Sequence, residues 1–298
     1  MLKLAPPSLR SRVGAYVALT KPRIIELLLV TTVPTQVVAA KGLPSGWLIL
    51  TTVLGGSLAA GGANAINMYV DRDIDRIMDR TRGRPLVTGA ITPRAALTFA
   101  VGLEILAFFW LWGLVNLLSA VLAVVACLFY VFVYTLWLKR TSTQNIVIGG
   151  AAGAVPVLIG WSSVTGSLAW PPVVLFAVIF YWTPPHFWSL AIKYRDEYSA
   201  ADVPMLPSVL SLRATSARIL VYTVLLWALT LVFGPVAGMG ELYLAAAALL
   251  GGVFLLFAVR LFKAPSTKTA MRLFSYSITY ITLLFGAMAV DALIRSHH

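Results

Sequence analysis

The chain has 298 residues, 59% of them hydrophobic and 11% charged, with a mean hydropathy of +0.87. An ordinary soluble domain is excluded, because repeated apolar runs near twenty residues are what a hydrocarbon core about 30 Å thick demands. The net charge of +12 would suit nucleic acid only if the bases were spread or clustered for it, and a single cysteine, Cys127, leaves no disulfide or thiolate cluster, so a packed thiol is expected.

In chain order, Met1 to Arg23 carries prolines and bases but no apolar core followed by a cleavage site, so no removable signal peptide is expected. Nine apolar spans follow, at 24–40, 46–69, 95–113, 116–137, 146–164, 171–191, 218–237, 241–259 and 273–292. They predict an all-α polytopic membrane protein, one membrane-embedded domain over 1–298, with nine transmembrane helices around a central cavity. Twenty-one of the 23 Lys and Arg residues then fall on one side, with only Lys41 and Arg295 on the other. That asymmetry predicts a cytoplasmic N-terminus, an outer C-terminus and contact with the lipid bilayer's anionic headgroups, with no nucleic acid as partner.

Glu26 lies near the cytoplasmic end of the first span, where it either pairs with Arg23 or faces the cavity. The second span carries Gly55, Gly56, Gly61 and Gly62, and the fifth Gly149, Gly150, Gly153 and Gly160. Small residues let membrane helices approach closely, which places both spans inside the bundle. Glu104, deep in the third span, is expected to be protonated or partnered.

The second span continues into a charged stretch, 61–94, in which Asn67, Asp71 and Asp75 recur at intervals of four. At about 100° per residue each such step drifts by only about 40°, so the three side chains share one helical face. Three oxygen-bearing side chains on one face suit a hard cation such as Mg²⁺. A solvated helix is the alternative, since Asp71, Asp75 and Asp79 interleave with Arg72, Arg76 and Arg80. Growth of the ladder out of a membrane helix favours function, because acids at that depth are costly.

The sixth span ends in Tyr181-Trp182-Thr183-Pro184-Pro185-His186-Phe187-Trp188. Two adjacent prolines should bend or unwind it. His186 is either a structural hydrogen-bonding group or a substrate contact, whereas His297 and His298 are expected to be idle. Two connections, 70–94 and 192–217, are long and hold seven of the eleven acids. The second contains Asp196, Glu197 and Asp202, which fit either a solvated loop or a site. Facing acidic patches could hold Mg²⁺ and, through it, a diphosphate, with Arg72, Arg84, Lys139, Arg140 and Lys193 completing the cradle.

These residues carry a family resemblance that covers almost the whole chain. Asn67-x-x-x-Asp71-x-x-x-Asp75 after the second span, with a second acidic loop after the sixth, resembles the UbiA-type intramembrane prenyltransferases. Thr20-Lys21-Pro22-Arg23, Arg80-Thr81-x-x-Arg84-Pro85-Leu86, Asn145-Ile146-Val147-Ile148-Gly149-Gly150, Pro184-Pro185-His186-Phe187-Trp188 and Asp202-Val203-Pro204-Met205-Leu206-Pro207 resemble its haem-farnesylating branch. Many relatives have Asp-Tyr where this chain has Glu197-Tyr198 preceded by Asp196, which leaves open which acid binds metal. The resemblance implies transfer of farnesyl from farnesyl diphosphate to a vinyl group of haem B, with water added, giving haem O for terminal oxidases. It implies Mg²⁺ as cofactor on Asn67, Asp71, Asp75 and the second cluster, and a haem A synthase or oxidase-assembly protein as partner.

Rival readings are a prenyltransferase acting on a quinone precursor or other aromatic acceptor and, from another class, a secondary transporter with acids in broken helices. A CDP-alcohol phosphotransferase would need Asp-Gly-x-x-Ala-Arg, which the chain lacks.

Overall fold

A computed structural model describes residues 9–296, apart from the side chains at 9–11, 24, 27 and 28; His297 and His298 lie outside the described residues. The described residues form thirteen helices. A short α1 (Leu9–Thr20) leads into α2 (Pro22–Ala40) and α3 (Gly46–Val70), and a six-residue α4 (Arg72–Ile77) follows. Next come α5 (Pro93–Leu114), α6 (Leu117–Thr141), α7 (Asn145–Thr165) and α8 (Trp170–Lys193). Two short helices, α9 (Arg195–Ala200) and α10 (Leu206–Val209), precede α11 (Leu212–Ala237), α12 (Glu241–Lys263) and α13 (Thr267–Ser296).

Local chemistry sets the ends. Ser45, Thr92, Asn116 and Ser211 each cap a helix by accepting a hydrogen bond from the backbone N–H three residues on, at 2.8–3.3 Å. Gly166 and Gly238 end α7 and α11 in the left-handed region, at φ 65° and 62°.

Each of the nine expected spans falls on one of the long helices. Eight of these are long and apolar enough to cross a bilayer. The remaining one, α2, is apolar over Leu29–Ala40, with its charged N-terminal turn outside that stretch. The glycine-rich α3 and α7 are the two most buried of the eight. A Cβ on Gly62 would come within 2.6 Å of Glu104 Oε1, and one on Gly160 within 2.6 Å of the Thr32 carbonyl. Helix backbones meet there as only glycine permits.

Three expectations need correction. The helix α8 does not unwind at Pro184 and Pro185 but stays helical through both. The Thr183 hydroxyl donates to Ile179 O at 2.9 Å and that of Ser189 to Pro185 O at 2.5 Å, on the turns either side of the doublet. Glu26 is exposed and forms no ion pair among the described residues, so its pairing with Arg23 is not made. Nor is α6 a plain helix, because Phe129–Leu138 winds as a π-helix.

Candidate metal-diphosphate site

The site grows from the junction of α3 and α4. Asp71 caps the end of α3 at φ −81°, ψ 4°, and the ladder continues across it, Asp71 N to Asn67 O at 2.9 Å and Asp75 N to Asp71 O at 2.8 Å. The step of four is thereby kept through the break, and Asn67, Asp71 and Asp75 are all buried, at 3%, 0% and 2% exposure. Buried carboxylates require partners, and distant elements deliver them.

Lys21, in the left-handed region at the joint of α1 and α2, donates from Nζ to Asn67 Oδ1 at 2.6 Å. The Asn67 amide donates in turn to Asp71 Oδ2 at 2.8 Å and to Thr135 Oγ1 at 3.1 Å. Thr135 sits in the π segment of α6, its hydroxyl donating to the carbonyl of Tyr130 at 2.8 Å. Past that segment, Lys139 binds Asp71 Oδ2, and Arg140 grips both oxygens of Asp73 at 2.8 Å while standing 3.9 Å from Asp71. Arg84 reaches both oxygens of Asp75, at 2.8 and 2.7 Å. The Thr81 hydroxyl closes the turn after α4 by donating to Asp75 O at 3.0 Å.

Three carboxylates thus meet four cations at one end of the bundle. Burial pushes the Lys21 ammonium down to about 7, with Arg84 and Lys139 adding repulsion. The Arg140 guanidinium holds the Asp73 carboxyl well below the usual carboxylate range. Asp71 Oδ1 remains buried with no hydrogen-bond partner. That orphaned oxygen is of the kind a hard divalent cation takes, while Asn67 Oδ1 and both oxygens of Asp75 stand on Lys21 and Arg84.

The second loop contributes less. Glu197 Oε2 accepts from the backbone N–H of Arg80 at 3.3 Å, and Tyr198 is buried, its phenol raised by that burial and set in the field of Arg80 and Arg84. Asp196 is 95% exposed and stands 3.4 Å from Arg195, and Asp202 is exposed in the left-handed region at φ 51°. Among the described residues, no three His, Cys, Asp or Glu side chains converge on a metal-sized site. Of the five bases expected to form a cradle, Arg84, Lys139 and Arg140 stand on carboxylates. Arg72 instead folds back to Tyr69 O at 2.6 Å and over its ring, and Lys193 lies over the ring of Tyr194.

His186 is placed elsewhere, between α8 and α13. Its ring stacks between Trp182 and Phe274, with centroids 4.2 and 4.8 Å away. Ser277 Oγ lies 2.7 Å from His186 Nδ1 and 2.6 Å from Phe274 O, within hydrogen-bond reach of both. Glu104 turns its carboxyl toward Gly62 of α3, and Cys127 is buried as expected of a packed thiol. Lys21, Thr135 and Tyr198 join the site without being among the residues expected there. For Lys21 a signal existed, a base directly before the proline that opens an apolar span; for Thr135 there was none.

The UbiA prenyltransferase family model matches residues 28–285. The chain belongs to the UbiA prenyltransferase family. UbiA-family relatives include the protoheme IX farnesyltransferase of Parafrankia sp. (strain EAN1pec), 55% identical over 95% of this chain and 91% of that one. The protoheme IX farnesyltransferase of Clavibacter sepedonicus is 52% identical over 94% of this chain and 92% of its own. Among solved structures, one of digeranylgeranylglyceryl phosphate synthase superposes with a TM-score of 0.79 at 19% identity, covering 95% of this chain and 99% of that one. A UbiA homolog from Archaeoglobus fulgidus bound to DMAPP and Mg²⁺ superposes with a TM-score of 0.66 at 16% identity, covering 94% and 99%. At those identities the superpositions establish the UbiA fold.

Proposed function

We propose that this protein transfers the farnesyl group of farnesyl diphosphate to a vinyl group of protohaem IX (haem B), giving haem O and diphosphate. The observation that carries the reading is the buried Asn67–Asp71–Asp75 row, matched by Lys21, Arg84, Lys139 and Arg140 at one end of an apolar bundle. Relatives more than 50% identical along nearly their whole length carry that activity in their names, which supports haem as the acceptor.

The chemistry needs no nucleophilic side chain. The bond between the farnesyl carbon and diphosphate oxygen breaks, its electron pair leaving with diphosphate. The vinyl π pair forms the new carbon–carbon bond, and water adds to the resulting cation with loss of a proton. Developing charge on the leaving oxygens calls for preorganised donors. Lys21, Arg84, Lys139 and Arg140 would supply them, Lys21 turning from the Asn67 amide and the other three from carboxylates toward phosphate oxygens. Asn67, Asp71 and Asp75, joined by Glu197 of the second loop, would hold Mg²⁺, which when bound supplies Lewis-acid neutralisation of the diphosphate. Asp196 and Asp202 would have to swing inward to join them. The apolar bundle shields the allylic cation from bulk water.

His186 is the proposed haem contact. With Nδ1 given to Ser277, contact would run through Nε2, and His186→Ala should then alter the haem absorption spectrum or haem affinity; unchanged spectra and affinity would remove it from the site. We place the whole chain, as one unit, in the cell membrane with N-terminus and charged loops in the cytoplasm, on the strength of the base asymmetry. Haem O would pass from it to a haem-modifying or oxidase-assembly protein such as haem A synthase.

The deciding experiment incubates purified protein with haem B, farnesyl diphosphate and Mg²⁺ and weighs the porphyrin. The expected product gains one farnesyl group and one hydroxyl group. Prenylation of a hydroxybenzoate with haem B untouched would instead establish the aromatic-acceptor reading, and no diphosphate release with any acceptor would favour transport.

A further inference from the structure

An apolar cavity runs between α2, α3, α6 and α7. It begins at Asn64 and Tyr130, beside the charged end, and reaches Thr52 and Ile159 at depth. No charged residue lines it, so it suits a hydrocarbon chain and not the propionate edge of a haem.

Two of its lining residues are Gly56 and Gly153, and they differ from the other glycines in the interior of their helices, Gly46 being the first residue of α3. A Cβ on Gly55, Gly62 or Gly160 would collide at 2.5–2.6 Å with Leu111, Glu104 or the Thr32 carbonyl, so helix contact accounts for them. A Cβ on Gly56 or Gly153 would meet nothing within 4 Å. Helix contact does not explain these two, and glycine in a helix interior costs about 1 kcal/mol against alanine. What the missing side chains leave is room inside the cavity.

We infer that Gly56 and Gly153 determine the length of isoprenoid the protein accepts. The inference rests on the prenyl-transfer reading above. Gly56 precedes Asn67 by eleven residues on α3, about 16 Å along the axis. Gly153 follows Asn145 by eight on α7, about 12 Å along. A chain whose diphosphate meets Asn67 and Lys21 passes between the two glycines with its outer isoprene units. Bulk at either position shortens the usable bore and leaves the polar end untouched.

The test compares Gly56→Val and Gly153→Leu with wild type, with haem B and either farnesyl or geranyl diphosphate, reading diphosphate release. Gly102→Leu is the control, since a Cβ there also meets nothing but the residue is exposed on α5, away from the cavity. The ratio of kcat/KM for farnesyl over geranyl diphosphate should fall at least about tenfold in both cavity variants, the scale on which a few methylenes discriminate, and stay at the wild-type value in the control. An unchanged ratio in folded protein, or equal loss of both lengths, overturns the inference. Where a bulky variant does not fold, Gly56→Ala and Gly153→Ala replace it; both must lower the ratio, and a wild-type ratio in both overturns the inference. A wild type that releases no diphosphate from either substrate defeats the prenyl-transfer reading itself and this inference with it.

Discussion

Asn67 uses both ends of its amide, Oδ1 for Lys21 and Nδ2 for Asp71 and Thr135. It thereby links a helix joint, the acidic row and the π segment of α6. Asp71→Ala or Asp75→Ala should each lower turnover by at least about a hundredfold, the scale of losing a preorganised electrostatic group, while the protein still purifies as a folded membrane protein; near-normal product by mass would reject the site. Lys139→Met removes the partner of a fully buried carboxylate, and breaking a buried pair costs about 3–5 kcal/mol. Its expected signature is a lower melting temperature in detergent even without substrate. The acidic row was readable because a step of four is a local property of helices, unaffected by what packs around it. Lys21 and Thr135 reach Asn67 across 46 and 68 residues, and no local pattern encodes such meetings. Asp196 and Asp202 show the opposite failure, since clustering in sequence does not force acids to turn inward.

At the scale of elements, α6 matters most for chemistry. Hydrophobic length announced the helix, because bilayer thickness dictates it. The π turn within was hidden, because Phe129–Leu138 reads as any apolar run. π segments mark functional sites in helices, and this one sets the rotation at which Lys139 and Arg140 emerge. Deleting Phe132, an exposed side chain inside it, should close the wide turn into an α ladder and shift Thr135, Lys139 and Arg140 against the acidic row. Membrane insertion should survive and product formation should not; full activity in the deletion would show that the register is irrelevant. At the opposite end, buried Asp291 of α13 accepts from the backbone N–H groups of Gly240 and Tyr243, at 2.6 and 3.2 Å, and so caps α12 from another helix. Asp291→Ala should destabilise by about 1–3 kcal/mol, read as a lower melting temperature, with the farnesyl-to-geranyl preference unchanged.

For the whole molecule, the span positions and the burial of α3 and α7 followed from composition, since small residues direct close packing in lipid. The route of the chain through prolines did not: the doublet in α8 was expected to bend or unwind it, and the segment does not unwind. If a divalent ion serves the reaction as proposed, chelation with EDTA should abolish product formation and added Mg²⁺ should restore it; product formed at full rate in excess EDTA would rule that out. The four cations standing on Asp71, Asp73, Asp75 and Asn67 carry a last implication. Every acid on that row already has company before anything docks. Arrival of a phosphorylated lipid then swaps partners around an occupied table, and its departure lets the old pairs reform, so the resting molecule is never left with bare charge inside the bilayer.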